Sequence, residues 1–429
     1  MLTDGLRCEP AESKQLSRHR LLLVVALAIC VYFAIHGVHA GLKEGGSDFT
    51  IYYRAGEVAW AGHDPTRVEQ YIYLPVFAVL ISPLTLLPHA VALVLWQAVS
   101  FAALCFVVLR CVRLCDAEGK QPWLLWLPLV ACLRLVDSNF SNGQANLLVL
   151  AVVLLGIESC RVGHDGRGGF WLGLASALKI LPAGLSIVLL MRGRFRVVAT
   201  VIASLIAGLV LPALVLGWSA NASALEHWWS TQPLPYLEGG RALLAERDYL
   251  PGQSLTASAY RLLTKTPSTS RADPEVTADL VDLDPDTVKW IVRAIGIASL
   301  AFLAATLAVS RKRAAPLAFV REVSLAMCFV LLLGPLVHKA HLVWLLLPFT
   351  LLFAGSPDGL GIGARRLRWT FVALAVILIG LTSPALLGRF LAAWVVQHNS
   401  VFFGLVCVTV ALSIDAWNAR GSGSRVPSV

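Results

Sequence analysis

Ten apolar runs, each suited to crossing about 30 Å of hydrocarbon, recur near residues 21–40, 89–110, 122–137, 143–160, 197–217, 288–310, 322–337, 340–354, 369–386 and 400–418. No soluble core needs so many. The composition agrees: 57% of residues are hydrophobic and 14% are charged, with a mean hydropathy of +0.72. Lipid leaves backbone polar groups no solvent partner, so each run must satisfy its own hydrogen bonds. The expected fold is an all-α, polytopic membrane protein with about eleven to thirteen spans.

The net charge of +9 would raise the question of nucleic acid in a soluble protein. Here the basic residues mostly flank apolar spans and act as a topology signal, so no nucleic-acid partner is expected. Of the nine cysteines, seven (Cys30, Cys105, Cys111, Cys132, Cys160, Cys328 and Cys407) lie in or beside apolar segments. No disulfide or zinc framework is visible. The polar stretch 1–20 reads as a cytoplasmic tail ahead of a retained first helix, because no clear cleavage site follows it.

Two runs resist assignment as ordinary spans. Residues 71–87 are interrupted by Pro75 and Pro83, and 169–191 are broken by Lys179 and Pro182. Taking the first as a surface or re-entrant helix, and the second as a hairpin with Lys179 at its tip, puts every short basic segment on one side. Both termini are then cytoplasmic. The opposite, extracytoplasmic face receives Asp48, Ser141 to Asn146, Lys179, Pro251 to Leu255 and His338 to His341. Reading 71–87 as a span would place the basic loops outside. One membrane domain (21–418) is expected, with an extracytoplasmic loop at 41–88, a longer one at 218–286 acting as lid or wall, and a disordered cytoplasmic tail at 419–429.

Asp48 is the most informative of these polar residues. Ser47 can cap a helix with Asp48 in its first turn, where the dipole favours an ionised carboxylate. Tyr52 falls on the same face at spacing four, and Phe49, Tyr53 and Trp60 form an aromatic flank suited to the bilayer interface. One general base, a lysine, two histidines and several amides on one face suit transfer of a group from a lipid-linked phosphate to a hydroxyl. The chain has no phosphate loop, dinucleotide fingerprint or DxD pair, which argues against a soluble nucleotide donor. No cofactor or metal site is indicated.

The run DFTIYYRAG (48–56), then YLPVFAVLISPLTLLP (73–88) with Trp96, NGQANLLVLAVVLLGIE (142–158) and GFWLGLASALKILPAGL (169–185) resembles glycosyltransferase family 87 over roughly residues 42–350. Family members are polyprenyl-phosphate-sugar-dependent, inverting transferases of the GT-C class on the outer face of the bacterial cytoplasmic membrane. The resemblance implies a GT-C-like bundle with periplasmic surface helices and a re-entrant hairpin. It implies that Asp48 is the general base, that Lys179 lies near the donor phosphate, and that Gln144 and Asn146 form the GQxN turn. It also implies a polyprenyl-phosphate sugar donor and a lipid or glycan acceptor.

Two stretches depart from the family pattern. Family members often show Asn-Gln-Ser where this chain has Gly252, Gln253 and Ser254, and Ser-Trp-x-His-His where it has Val337 to His341. Only His341 lines up in the second. With Ala340 in place of the neighbouring histidine, His338 or Lys339 would join His341 and Lys179 at the phosphate. Tyr52, Gln144, Asn146 and Gln253 are the candidate substrate contacts.

Plainer readings exist for several of these residues. Lys179 could snorkel to the interface, and His338 and His341 at spacing three could bind a metal, although no carboxylate or cysteine completes a set. Tyr52, Tyr53, Tyr71 and Tyr73 fit interface anchors better than sugar platforms. Arg134 could pair with Asp137 at spacing three. The expected function is a membrane glycosyltransferase moving a sugar, mannose first and a pentose second, with inversion at the extracytoplasmic face. The rival class is a transporter or flippase of a lipid-linked sugar, which predicts inverted repeats that the chain lacks.

Overall fold

A computed structural model describes residues 10–43, 45–116, 119–238, 252–265, 278–311, 317–357 and 359–418. Among them the chain is helical throughout, with one isolated bridge between Gly252 and His338 as the sole β pairing. Five helices are long and apolar enough to cross a bilayer: Leu16–Gly41, His89–Cys115, Phe195–Leu216, Pro285–Arg311 and Ser400–Asn418. A sixth is the pair Pro122–Ala131 and Leu133–Ser141, bent by 61°. The higher number of spans expected from hydropathy counts apolar runs; several of these fold as shorter or interrupted helices, such as Leu181–Met191 and Lys339–Ala354.

The breaks follow from local chemistry. Pro75 sits in the first turn of Pro75–Ile81, where a missing N–H costs nothing, and Pro83 turns the chain into the 3-10 helix Ser82–Leu86. The run 71–87 is thus two short helices rather than a span. Within the intact helices, Ser176, Thr350 and Thr409 return their hydroxyls to carbonyls one turn back, Leu172, Leu346 and Leu405, at 2.8, 2.6 and 2.8 Å. Their polar groups are therefore satisfied inside an apolar bundle.

The helix Asp165–Leu178 is held by close approach. A Cβ at Gly169 would lie 2.5 Å from the Val197 carbonyl oxygen, and one at Gly173 would lie 2.6 Å from that of Val201. Only glycine lets the two backbones meet here, the usual device for packing helices without a hydrophobic drive. The chain breaks at Lys179 and returns through Leu181–Leu185 and Ser186–Met191. Arg194 then pairs with Asp165 and donates to the Cys160 carbonyl at 2.6 Å. The two ends of the run meet, so the segment is a hairpin with Lys179 at its tip.

The bundle has two unlike ends. At one, Arg110 pairs with Glu158, Arg192 with Glu322, Arg194 with Asp165 and Arg368 with Asp415. Arg161 and Arg311 donate to the carbonyls of Leu114 and Met191 at 2.8 and 2.6 Å. Arginines of the short basic segments 110–120, 161–167, 192–196 and 365–368 take part in these contacts. The other end carries Asp48, the 141–146 turn, Lys179, Gly252 to Ser254 and His338 to His341; Pro251 lies outside the described residues. The start of the long loop packs over this end: Trp228 donates to the Ile72 carbonyl at 3.0 Å, and His227 hydrogen-bonds Thr66 at 3.0 Å. Trp218 and Trp229 remain exposed, as expected for an interfacial cluster. The eight described cysteines are all free.

Candidate active site

Asp48 is the first residue of the helix Asp48–Trp60, behind Ser47 in extended backbone at φ −133 and ψ 177. The Ser47 N–H donates to the Thr50 hydroxyl at 3.2 Å, and the Asp48 N–H donates to the Asn142 carbonyl at 3.0 Å. The second bond seats the helix start against the 141–146 turn. That turn needs Gly143, whose φ is +62 and whose Cβ would lie 3.0 Å from Ser47 Oγ and 3.1 Å from Phe49 Cβ. Trp96, from the helix His89–Cys115, donates to the Gly143 carbonyl at 2.9 Å.

From the turn a polar relay crosses the site. Gln144 Nε2 donates to Asp48 Oδ2. Gln144 Oε1 accepts from Asn146 at 3.3 Å and from the Tyr52 and Tyr73 hydroxyls at 3.4 Å each. Those hydroxyls bond each other at 2.8 Å. Lys179 Nζ donates to Asn146 Oδ1 at 2.7 Å and lies 3.4 Å from the Tyr73 hydroxyl. Asp48 and Lys179 are thus joined through two amides rather than bound to each other.

Asp48, Tyr52, Gln144 and Lys179 line one cavity of ≈ 350 Å³ with Tyr73, His338 and His341. Among the described residues Lys179 is the only lysine or arginine on its wall; burial pulls its ammonium down to about 7, opposed by the nearby Asp48 charge. His338 and His341 stack edge to face, 4.3 Å between centroids, and the His338 N–H reaches His341 Nδ1 at 3.3 Å. Burial, reinforced by Lys179 and Lys339, pushes the His338 imidazole down to about 3. A shift in that direction favours the uncharged ring, which can both donate and accept a hydrogen bond. For Asp48, burial raises the carboxyl pKa, opposed by the Gln144 hydrogen bond and the Lys179 charge. Burial thus works against the helix dipole, which favours the ionised carboxylate. A carboxyl raised in this way lies closer to the pH at which a carboxylate can exchange protons usefully.

Several expectations need correction. Phe49 and Tyr53 are buried rather than interfacial, and only Trp60 stays exposed. Tyr71 and Tyr73 are buried as well, and Tyr73 is a site residue rather than an anchor. Gln253 does not line the cavity; its N–H donates to the Val337 carbonyl at 2.6 Å behind the wall. Lys339 does not line it either, and its electrostatic neighbours are Arg134 and Asp137. Arg134 donates to the Ile379 carbonyl and the Thr382 hydroxyl instead of pairing with Asp137, which accepts from Ser141 at 3.0 Å.

Sequence reasoning missed Gln70, Ile51, Ile72 and Leu336 on the cavity wall. Gln70 and Leu336 hold left-handed backbone, φ +65 and +56, a conformation that nothing in their residue types announces. No group of three His, Cys, Asp or Glu side chains able to hold a metal occurs among the described residues. A second, apolar cavity of ≈ 790 Å³ lies between the helices Pro285–Arg311, Ala318–Leu333 and Ser400–Asn418. It extends from Leu255 and Phe402 to Trp417, about 22 Å along the last helix.

Residues 71–335, well over half of the chain, match the family model for Glycosyltransferase family 87. The chain belongs to glycosyltransferase family 87. As a family 87 member it is a membrane glycosyltransferase, which decides against the transporter reading. The matched stretch contains Tyr73, Gln144, Asn146 and Lys179, begins after Asp48 and ends before His338. Two relatives extend the likeness to most of the chain. Both are named polyprenol-phosphate-mannose-dependent alpha-(1-2)-phosphatidylinositol pentamannoside mannosyltransferase. The one from Mycolicibacterium smegmatis is 26% identical over 380 residues, 86% of this chain and 82% of its own. The one from Mycobacterium tuberculosis is 26% identical over 370 residues, 84% of this chain and 75% of its own. No solved structure matches the chain.

Proposed function

We propose that the protein transfers a mannosyl group from a polyprenyl phosphate to an acceptor hydroxyl on the extracytoplasmic face of the cytoplasmic membrane, with inversion at the anomeric carbon. One observation carries this reading: a half-buried acid and a buried lysine, Asp48 and Lys179, face one cavity at the end of the bundle opposite the paired arginines. The positive-inside tendency assigns the arginine end to the cytoplasm. The names of the two relatives support the donor sugar and a lipid-linked, inositol-containing acceptor.

The step follows from where the charges stand. Asp48 accepts the proton of the acceptor hydroxyl as its oxygen attacks the anomeric carbon opposite the phosphate. The bond from that carbon to the phosphate oxygen breaks, and polyprenyl phosphate leaves with the electron pair. Lys179 meets the charge growing on the phosphate, and the neutral imidazoles of His338 and His341 add hydrogen bonds. Gln144 holds the carboxylate oxygen and keeps the acid and the lysine from collapsing into an ion pair. Tyr52 and Tyr73 close the polar floor. The apolar cavity starts at Leu255, three residues after Gly252, which bridges to the wall residue His338, and its lining suits the lipid tail of the donor.

Purified protein in lipid nanodiscs, given labelled polyprenyl-phosphate mannose and a panel of glycolipid acceptors, tests the proposal. A mannosylated lipid is the expected product. Transfer from a soluble nucleotide sugar in place of the lipid donor would overturn it.

A further inference from the structure

The two stretches that depart from the family pattern touch each other. Gly252 forms an antiparallel bridge with His338, and the Gln253 N–H donates to the Val337 carbonyl at 2.6 Å. A change in one stretch is therefore felt in the other, although more than eighty residues separate them in sequence.

One side chain holds this pairing in place. Arg261, on the helix Leu255–Leu263, is 1% exposed. Its guanidinium donates to the Gly252 carbonyl at 3.0 Å and to Asn399 Oδ1 at 2.5 Å. Asn399 has left-handed backbone, φ +61, immediately before the helix Ser400–Asn418. Ser254 caps the Leu255–Leu263 helix by accepting from the Ala257 N–H at 3.0 Å, so Arg261 reaches back along a fixed turn. A planar guanidinium bound at two edges sets orientation as well as distance. Here it fixes Gly252 to the start of the last helix and, through the bridge, fixes His338.

We propose that Arg261 is a positioning residue for the donor phosphate: by locking the Gly252–His338 pairing it places His338 and His341 on the cavity wall. This rests on the proposed phosphate-binding role of that histidine pair. Arg261 lines neither cavity, and its route to the site is the bridge.

Donor and acceptor kinetics of Arg261→Ala, Arg261→Lys, His338→Ala and the Arg261→Ala/His338→Ala pair test the idea. Arg261→Ala should raise the donor KM about tenfold, with kcat within about threefold and acceptor KM unchanged. Lysine should restore part of the loss. The double variant should be little worse than His338→Ala alone, because the two changes remove one interaction. Multiplying effects, or an unchanged donor KM, would overturn the proposal, as would equal rises in donor and acceptor KM. A residue that served the fold alone would lower the yield of active protein without moving the donor KM. If the alanine variant cannot be recovered folded, Arg261→Lys carries the test by a smaller rise in donor KM that His338→Ala abolishes. Failure of the transferase reading would look different: the unmodified protein would then not use the lipid-linked donor.

Discussion

The two ends of the bundle handle charge in opposite ways. At the basic end each buried carboxylate is taken by an arginine: Glu322 by Arg192 at 2.5 Å, Asp415 by Arg368 at 2.7 Å. At the site end Asp48 and Lys179 are within each other's electrostatic influence, yet Gln144 and Asn146 stand between them. Neutralised pairs hold helices together and do little chemistry. A half-buried acid and a buried lysine kept apart by amides stay free to take a proton and to meet a phosphate. The difference separates what anchors this fold from what reacts.

Substitutions at each end should therefore break different properties. The largest effect belongs to Asp48→Asn, which keeps the Gln144 contact and the shape but removes the base. Turnover should fall about 10²–10⁴-fold, the usual worth of a general base, while donor binding and the thermal midpoint stay nearly unchanged. Initial rates with labelled donor, beside a binding isotherm on the same preparation, check this. Near wild-type rates would remove Asp48 from the mechanism.

Next comes Lys179→Met, which removes the one lysine or arginine among the described residues of the cavity wall. Loss of a single stabilising group at a departing anion costs about 10²–10³ in kcat. Single-turnover rates with donors whose leaving phosphates differ in acidity show where the loss lies. The variant should be most impaired with the poorest leaving group, and a uniform loss would deny the assignment.

Gln144→Ala should have a moderate effect with a clear sign in pH. Asp48 must be ionised to accept a proton, so kcat/KM falls as pH drops through its pKa, which burial already holds above the ordinary carboxylate value. The Gln144 hydrogen bond opposes that rise. Removing it should move the acid limb of the profile to still higher pH. An unmoved limb would mean that Gln144 only positions the turn.

The smallest effect on turnover belongs to the other end. Arg368→Ala strands Asp415, which is 1% exposed, and breaking a buried pair costs about 3–5 kcal/mol of stability. The thermal midpoint should drop while the rate per folded molecule holds. If the rate fell with no change in midpoint, the division between the two ends would be false.

Most of this division was legible in the chain. Hydropathy and the positions of the arginines foretold a helical bundle with its polar clusters opposite its basic loops. Asp48, Gln144, Asn146 and Lys179 were legible because a polar group in an apolar or turn context needs a partner or a task. Gln253 and Lys339 lie off the cavity wall for different local reasons: the Gln253 N–H is taken by the Val337 carbonyl, and Lys339, next to the wall residue His338, has Arg134 and Asp137 as its electrostatic neighbours. Tyr73 was hidden because a tyrosine near a membrane surface suits an interface equally well. The left-handed Gln70 and Leu336 were invisible, since neither residue type favours that backbone. Arg134 found the end of a distant helix, Ile379 and Thr382, instead of its neighbour Asp137.

The central claim is that Asp48 removes a proton from the acceptor and never bonds to the sugar. The anomeric configuration of the product, read by one-bond carbon–hydrogen coupling in the NMR spectrum of glycolipid made by the purified protein, tests it most directly. A single displacement assisted by a base predicts a linkage inverted relative to the polyprenyl-phosphate donor. A retained configuration would mean that a carboxylate attacks the sugar first, and would contradict the account.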